Sequence, residues 1–257
     1  MILRRIAEHV KAQNWTAVAL DFVIVVAGVF IGIQVSNWND ALAESARERQ
    51  ALAAILDDLR ADRQMLKNAM EMAQVNIDAS NQVFHKAGFA PVEVIAIPES
   101  IESLLEGAAI KPPSPSTLPE IQKANLWARI TMHYYPSQSD AAVAALIATG
   151  NLHLIKDADL VRELQSYKSL WATLENANDT TFRPFRDRTV FAGQDLGLSP
   201  FTNISSDELT DHIEANPKLS AAIRTLAEFT ILQHASEASL DRRAIDLIDR
   251  IKGEIRQ

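Results

Sequence analysis

The sequence contains no cysteine, which excludes disulfides, thiolate zinc sites, iron–sulfur clusters and a cysteine nucleophile. Glycine is scarce, at 8 of 257 residues, and 4 of the 10 prolines fall in one stretch, Lys111 to Pro119. A chain so poor in turn formers and rich in Ala, Leu and Ile leans to helix and away from sandwiches and barrels. Positive charge is also in short supply: 25 Lys+Arg stand against 33 Asp+Glu, a net of −8. The chain therefore lacks the basic face a nucleic-acid binder needs. There is no HExxH, GxSxG, P-loop or GxGxxG, and no carboxylate pair forms a motif specific for acid–base catalysis. His9, His85, His133, His153, His212 and His234 show no i, i+4 pairing, so no metal site is expected. These absences predict a protein that is not an enzyme and carries no cofactor.

What the sequence does contain is one long apolar run. Thr16 to Ser36 is apolar except for Asp21, Gln34 and the small Thr and Ser at its ends. As a helix, such a run is about 31 Å long, close to the hydrocarbon thickness of a bilayer. Trp15 and Trp38 bracket it, where indoles favour the headgroup region. Before it, Arg4, Arg5 and Lys11 against Glu8 give residues 1–16 a net of +2, whereas residues 36–257 carry −9. Basic flanks stay in the cytoplasm, so the expected topology puts the N-terminus inside and the bulk of the chain outside. Ala41-Leu42-Ala43 imitates a signal-peptidase site. The apolar run is longer than a signal h-region, and Asn37, Trp38, Asn39 and Asp40 make a bulky, polar approach, which favours an uncleaved anchor.

The stretch from Asp21 through the Gly28/Gly32 run to Gln34 and Asn37-Trp38-Asn39 resembles the opening signature of a bacterial family of single-pass membrane proteins. That pattern is an acid, an apolar run with Gly, then Gln and an Asn-Trp-Asn end. Leu146-Ile147-Ala148-Thr149-Gly150-Asn151-Leu152-His153-Leu154-Ile155-Lys156-Asp157, followed by Leu160, Leu164 and Tyr167, is a second similarity. The family's domain has no assigned function, so the resemblance implies topology and localisation in a bacterial inner membrane, not activity. Gly32 stands where Ala is commoner.

Within the span, Asp21, Gly28, Gly32, Gln34 and, at its end, Trp38 are the candidate interaction residues. A carboxylate at mid-bilayer costs about 2.5–3.5 kcal/mol, less near the interface. Asp21 therefore either snorkels at the cytoplasmic boundary or meets a polar partner. Gly28 and Gly32 form a GxxxG pair that permits close backbone approach, and the Gln34 amide can bond across helices. Asp21 and Gly28 are seven residues apart and share a face, whereas Gln34 lies about 120° from Gly28 at 100° per residue.

Beyond the span, Leu52, Leu56, Leu59, Leu66, Met70, Ala73, Ile77 and Phe84 recur at four-three steps, with Arg63 and Ser80 as polar intruders. The same count runs backward through Leu42, Trp38, Val35, Ile31, Gly28 and Ile24 to Asp21. The spacing fits an inter-chain coiled coil or an intrachain bundle helix and does not choose between them. Asp57, Asp58, Arg60, Asp62 and Lys67 are assigned to its other faces. The expected organisation is a leader (1–15), a transmembrane helix (16–38), a helical stalk (39–88) and a helical outer domain (89–257). The outer domain contains a Pro-rich loop (111–119), read as a stiff connector.

In the outer domain, Val92 to Pro98 reads as a short extended run and Glu99 to Glu106 as a short helix. Helices are expected over Glu120–Met132 and Asp140–Thr149, and from an N-cap at Asp157 with Leu160, Leu164, Tyr167, Trp171 and Leu174 inward. The last of these should end or kink before Pro184. Gly193, Gly197 and Pro200 read as a loop and Ser206–Ala215 as a helix. A long final helix starts at Pro217, its Thr230, Gln233 and Glu237 marking a change of packing partner. Arg183, Arg186 and Arg188 beside Phe182 and Phe185 are either an anion site or ion pairs with Asp179 and Asp187. The fold class expected is all-α: one N-terminal transmembrane helix continuing into a stalk, with an extracytoplasmic helical bundle. The functional expectation is an interaction protein whose partners are the bilayer and either a second copy or another membrane protein. A periplasmic sensor with an unknown small-molecule ligand is the alternative. Too few residues precede the span to fold an output domain, which favours the first reading.

Overall fold

The computed structural model describes residues 15–93, 119 and 124–256. It is all-α, with no strand among the described residues. The helices are α1 (Trp15–Lys86), α2 (Leu126–Thr131), α3 (Ala141–Ala148), α4 (Ala158–Ala177), α5 (Arg183–Gln194), α6 (Ser206–Ala215) and α7 (Pro217–Arg256). A 3₁₀ turn, Leu152–Leu154, precedes α4, and a π turn, Asn178–Phe182, joins α4 to α5. The chain divides between Gln50 and Ala51 into two units, considered separately below. The extended run and short helix expected beyond Glu93, and the Pro-rich loop up to its last residue, lie outside the described residues.

In the first unit the chain is helical from Trp15 onward. This is the one helix among the described residues that is long and apolar enough to cross a membrane. Its large apolar side chains from Phe22 to Leu42 are about half or more exposed, from 48% at Val35 to 68% at Phe22.

The second unit is a helical bundle with two apolar cores. Residues 51–86 of α1 belong to it, and the four-three seam is buried inside the chain: Leu52, Leu56, Leu59 and Leu66 join one core, Ile77 and Phe84 the other. Of the two partners the spacing left open, the chain's own helices are the one that covers these residues. The first core also takes Leu160, Leu164, Trp171 and Leu174 from α4 and Leu240, Leu247 and Ile251 from α7. The second takes Leu126, Trp127 and Ile130 from α2, Leu209 and Ile213 from α6, and Leu219, Ile223 and Ile231 from α7. Along α7 the change from one core to the other falls between Ile231 and Leu240, where Gln233 and Glu237 are buried. Along α1 it falls between Leu66 and Ile77, beside buried Asn76. A polar waist therefore separates the two cores, as the Thr230/Gln233/Glu237 break in the apolar pattern predicts.

Local chemistry sets the helix ends. Asn125 Oδ1 accepts from Ala128 N at 3.3 Å and caps α2 at Leu126; residues 120–123 of the helix expected over Glu120–Met132 lie outside the described residues. Gly150 takes φ +70° after α3, a left-handed position that suits glycine. Asp157 Oδ1 accepts from Asp159 N (2.9 Å) and Leu160 N (3.2 Å), the expected cap of α4. Ser205 caps α6 through Glu208 N at 3.1 Å.

Pro184 has no N–H, and its ring would press on the carbonyl four residues back in an unbroken α-helix. The π turn resolves this: Arg183 N bonds back to Asn178 O, and α5 begins with Pro184 in its first turn. The expected break before Pro184 is thus a widened turn. Gly193, read as a loop residue, is instead inside α5. A Cβ there would lie 2.2 Å from Cζ2 of the Trp127 ring, so glycine is required by close approach and not by a turn.

Candidate functional site

The span residues singled out by sequence are all on α1. Gly28 and Gly32 are one turn apart, and beyond the helix's own neighbouring backbone no atom lies within 4 Å of the position a Cβ would take. Gln34 is exposed, and Trp38 is exposed at 67%. Asp21 is helical, and its side chain lies outside the described residues. Gly28, Gly32, Gln34 and Trp38 thus form an uncovered surface, without a cavity or a reactive group among them.

In the bundle, acids fasten the segment between α2 and α3. Asp62 Oδ1 accepts from Ser139 N at 2.6 Å and Oδ2 from Tyr167 OH at 3.0 Å. Asp58 Oδ2 accepts from Ala142 N at 2.8 Å, and Glu175 Oε1 from Gln138 N at 3.0 Å. Lys168 pairs with Asp140. Placing Asp62 on an outer face is therefore a misreading: it is fully buried. Its spacing carries the signal, three residues after Leu59 and four before Leu66. Burial pushes its carboxyl up to about 6, against the lowering effect of its two hydrogen bonds, and pushes the Tyr167 hydroxyl up as well. Both Asp62 oxygens are engaged, and the adjoining cleft holds only about 20 Å³, enough for a water but not a substrate. The arrangement can hold or release a proton and order a loop.

The waist is a second polar cluster. The Asn76 amide donates to the Arg129 carbonyl and, at 2.7 Å, to Met132 O. Gln233 Nε2 donates to Glu237 Oε1 at 2.9 Å and reaches Tyr134 O at 3.4 Å. Glu237 Oε2 has no hydrogen-bond partner among the described residues, and burial raises its carboxyl well above the usual range. His133 packs its ring on Tyr135, as expected of an inward turn, and burial lowers it to about 4, so it is neutral at pH 7.

Two of the three clustered arginines are paired with acids. Arg183 pairs with Asp179 at 3.2 Å and stacks over Tyr135, while Arg186 pairs with Asp187 at 2.8 Å and donates to Thr131 O. Arg188 lies over the Phe185 ring. Ion pairing, not a prepared anion site, accounts for Arg183 and Arg186. Among the described residues no three His, Asp or Glu side chains gather as metal ligands would.

The remaining feature was not visible in the sequence. Between α4, the π turn and α7 lies an apolar cavity of about 160 Å³. Leu170 and Leu174 form one wall, Phe229, Leu232 and Leu240 the opposite one, and Phe182 closes the π-turn end. It opens partly to solvent, several of its lining residues, Leu170, Phe229 and Leu232 among them, being only half-buried.

Comparison of the chain with protein-family models, with curated proteins and with solved structures finds no match. The resemblance drawn from the span and from the stretch Leu146–Asp157 therefore rests on those residues alone. The second stretch is, structurally, the end of α3, the left-handed Gly150, the 3₁₀ turn and the Asp157 cap.

Proposed function

We propose that the chain is a membrane-anchored helical interaction protein, either self-associating or an accessory subunit of a membrane complex, without catalytic activity. Its N-terminus is cytoplasmic and its bundle periplasmic, in a bacterial inner membrane. One observation carries this reading: from Phe22 to Leu42 the large apolar side chains of α1 are uncovered. A run of that length is stable only in hydrocarbon or against another apolar surface. Within it, Gly28 and Gly32 leave the backbone open to close approach. Because the bundle buries its own seam residues, association falls to the span face and not to a coiled-coil stalk.

The test is affinity capture from mild detergent with mass spectrometry of what co-purifies. Stoichiometric self-association or a defined membrane partner supports the reading. Recovery of a lone monomer, unchanged by Asp21→Ala and by Gly28→Leu, sinks it and leaves Asp21 as a snorkelling residue.

A further inference from the structure

We infer that the cavity between α4, the π turn and α7 is a binding site for a small, uncharged monocyclic aromatic molecule. The inference concerns the bundle alone and does not depend on what the span associates with. Three properties of the cavity define the occupant. Its volume, about 160 Å³, is close to the roughly 150 Å³ of an engineered apolar cavity that stays dry and takes up benzene. One ring fills it, and a longer guest would have to extend out through its open side. No ionisable side chain lines it, so a charged guest would lose its hydration with nothing in return.

The third property is the aromatic wall. Phe229 is stacked on Phe185, with centroids 4.3 Å apart, and Phe182 meets Phe229 edge-on at 6.3 Å. Phe182 and Phe229 both border the cavity. A guest ring can extend this array in the offset or edge-on geometries that aromatic pairs favour. The hydroxyls at the margin add one polar possibility. Thr173 donates to Ser169 O at 2.9 Å and Ser236 donates to Leu232 O at 3.0 Å. With their hydrogens committed, these two oxygens can accept from a guest that carries a single O–H or N–H.

The wall at Phe182 is also the place where the backbone departs from the α ladder. π turns of this kind occur disproportionately at functional sites, and this one sets the position of Thr181 and Phe182 at the cavity's end.

The test uses the full chain in detergent, with methyl-labelled leucines followed by NMR. Toluene and phenol should shift the methyls of Leu174, Leu232 and Leu240 saturably while leaving Leu52 unmoved. Benzoate should bind about tenfold more weakly or less than that. Ala177→Phe fills the cavity from α4 and Leu232→Phe from α7. Either variant, once its circular dichroism matches the parent, should weaken toluene by about tenfold or more. The same comparison cancels partition of toluene into the micelle. No saturable shift, equal binding by both filled variants, or benzoate binding as tightly as phenol would each overturn the assignment.

Discussion

The indole of Trp127 occupies the space in which a side chain at position 193 would begin: a Cβ on Gly193 would sit 2.2 Å from its Cζ2 and 2.5 Å from its Cη2. Trp127 is fully buried, and its Nε1 donates to Ser199 O at 2.9 Å, so the ring is held at both ends and cannot swing aside cheaply. Gly193→Ala should cost about 1–3 kcal/mol through overpacking, even though alanine is the better helix former. Denaturant unfolding followed by tryptophan emission will read it. A variant as stable as the parent would show that the ring can yield.

Asp62 sets a pH dependence. Its folded value of about 6 lies above its ordinary 3.8 because burial disfavours the charge. The folded state therefore binds the proton more tightly than the unfolded one. Its contribution to stability is full below pH 3.8 and is lost as pH rises toward 6. Asp62→Asn keeps one acceptor, its Oδ1, for Ser139 N and turns the other contact round, its amide donating to the Tyr167 hydroxyl. Without a titrating carboxyl it should flatten the stability profile in that window. Asp62→Ala leaves both donors without their partner and should cost about 1–3 kcal/mol. Urea midpoints between pH 3.5 and 7 distinguish the two.

Asp157 behaves in the opposite sense. Hydrogen bonding from Arg250, then from the Leu160 and Asp159 amides, holds its carboxyl below the usual range. Its contribution is present above the ordinary value and is lost as pH falls through the lowered one. Asp157→Ala removes the α4 cap and should cost about 1–2 kcal/mol. Arg250→Ala should raise the Asp157 pKa, measurable by NMR titration of the carboxyl carbon.

At the waist, Glu237→Gln should hold or raise stability at pH 8, because the parent carboxyl is buried with one oxygen unpartnered. Glu237→Ala, which empties the site and strands the Gln233 amide, should cost about 2–4 kcal/mol. Thermal melts of the two variants at pH 5 and pH 8 check both the direction and the pH trend. An equal loss from both would mean the charge is not the problem.

How far the fold could be read depended on whether the cause was local. The Asp157 cap, the left-handed Gly150 and the break before Pro184 each arise within a few residues, and the pattern shows them. The seam from Leu52 to Phe84 declares that a face is buried, but seven-residue spacing is silent on whose helices cover it. Gly193 looked like a turn residue because the reason for it, the Trp127 ring, is supplied from 66 residues away. Asp62 looked like a surface charge because its identity outweighed its position on the Leu59–Leu66 face. The cavity had no signature at all, since a void is a property of how side chains from α4 and α7 fail to fill the space between them. The long apolar helix was legible too, because an uninterrupted run of apolar residues is a local property of the sequence.

Arg63 reaches Asp241 across 178 residues of sequence, at 2.7 Å. The first bundle segment is thus completed by the last helix. During synthesis, Leu52, Leu56, Leu59 and Leu66 leave the ribosome long before Leu240, Leu247 and Ile251 exist to cover them. The nascent chain carries that stripe uncovered until α4 emerges and only partly covered until α7 does, a window in which holdase chaperones would find it and in which loss of α7 would leave the core open on one side.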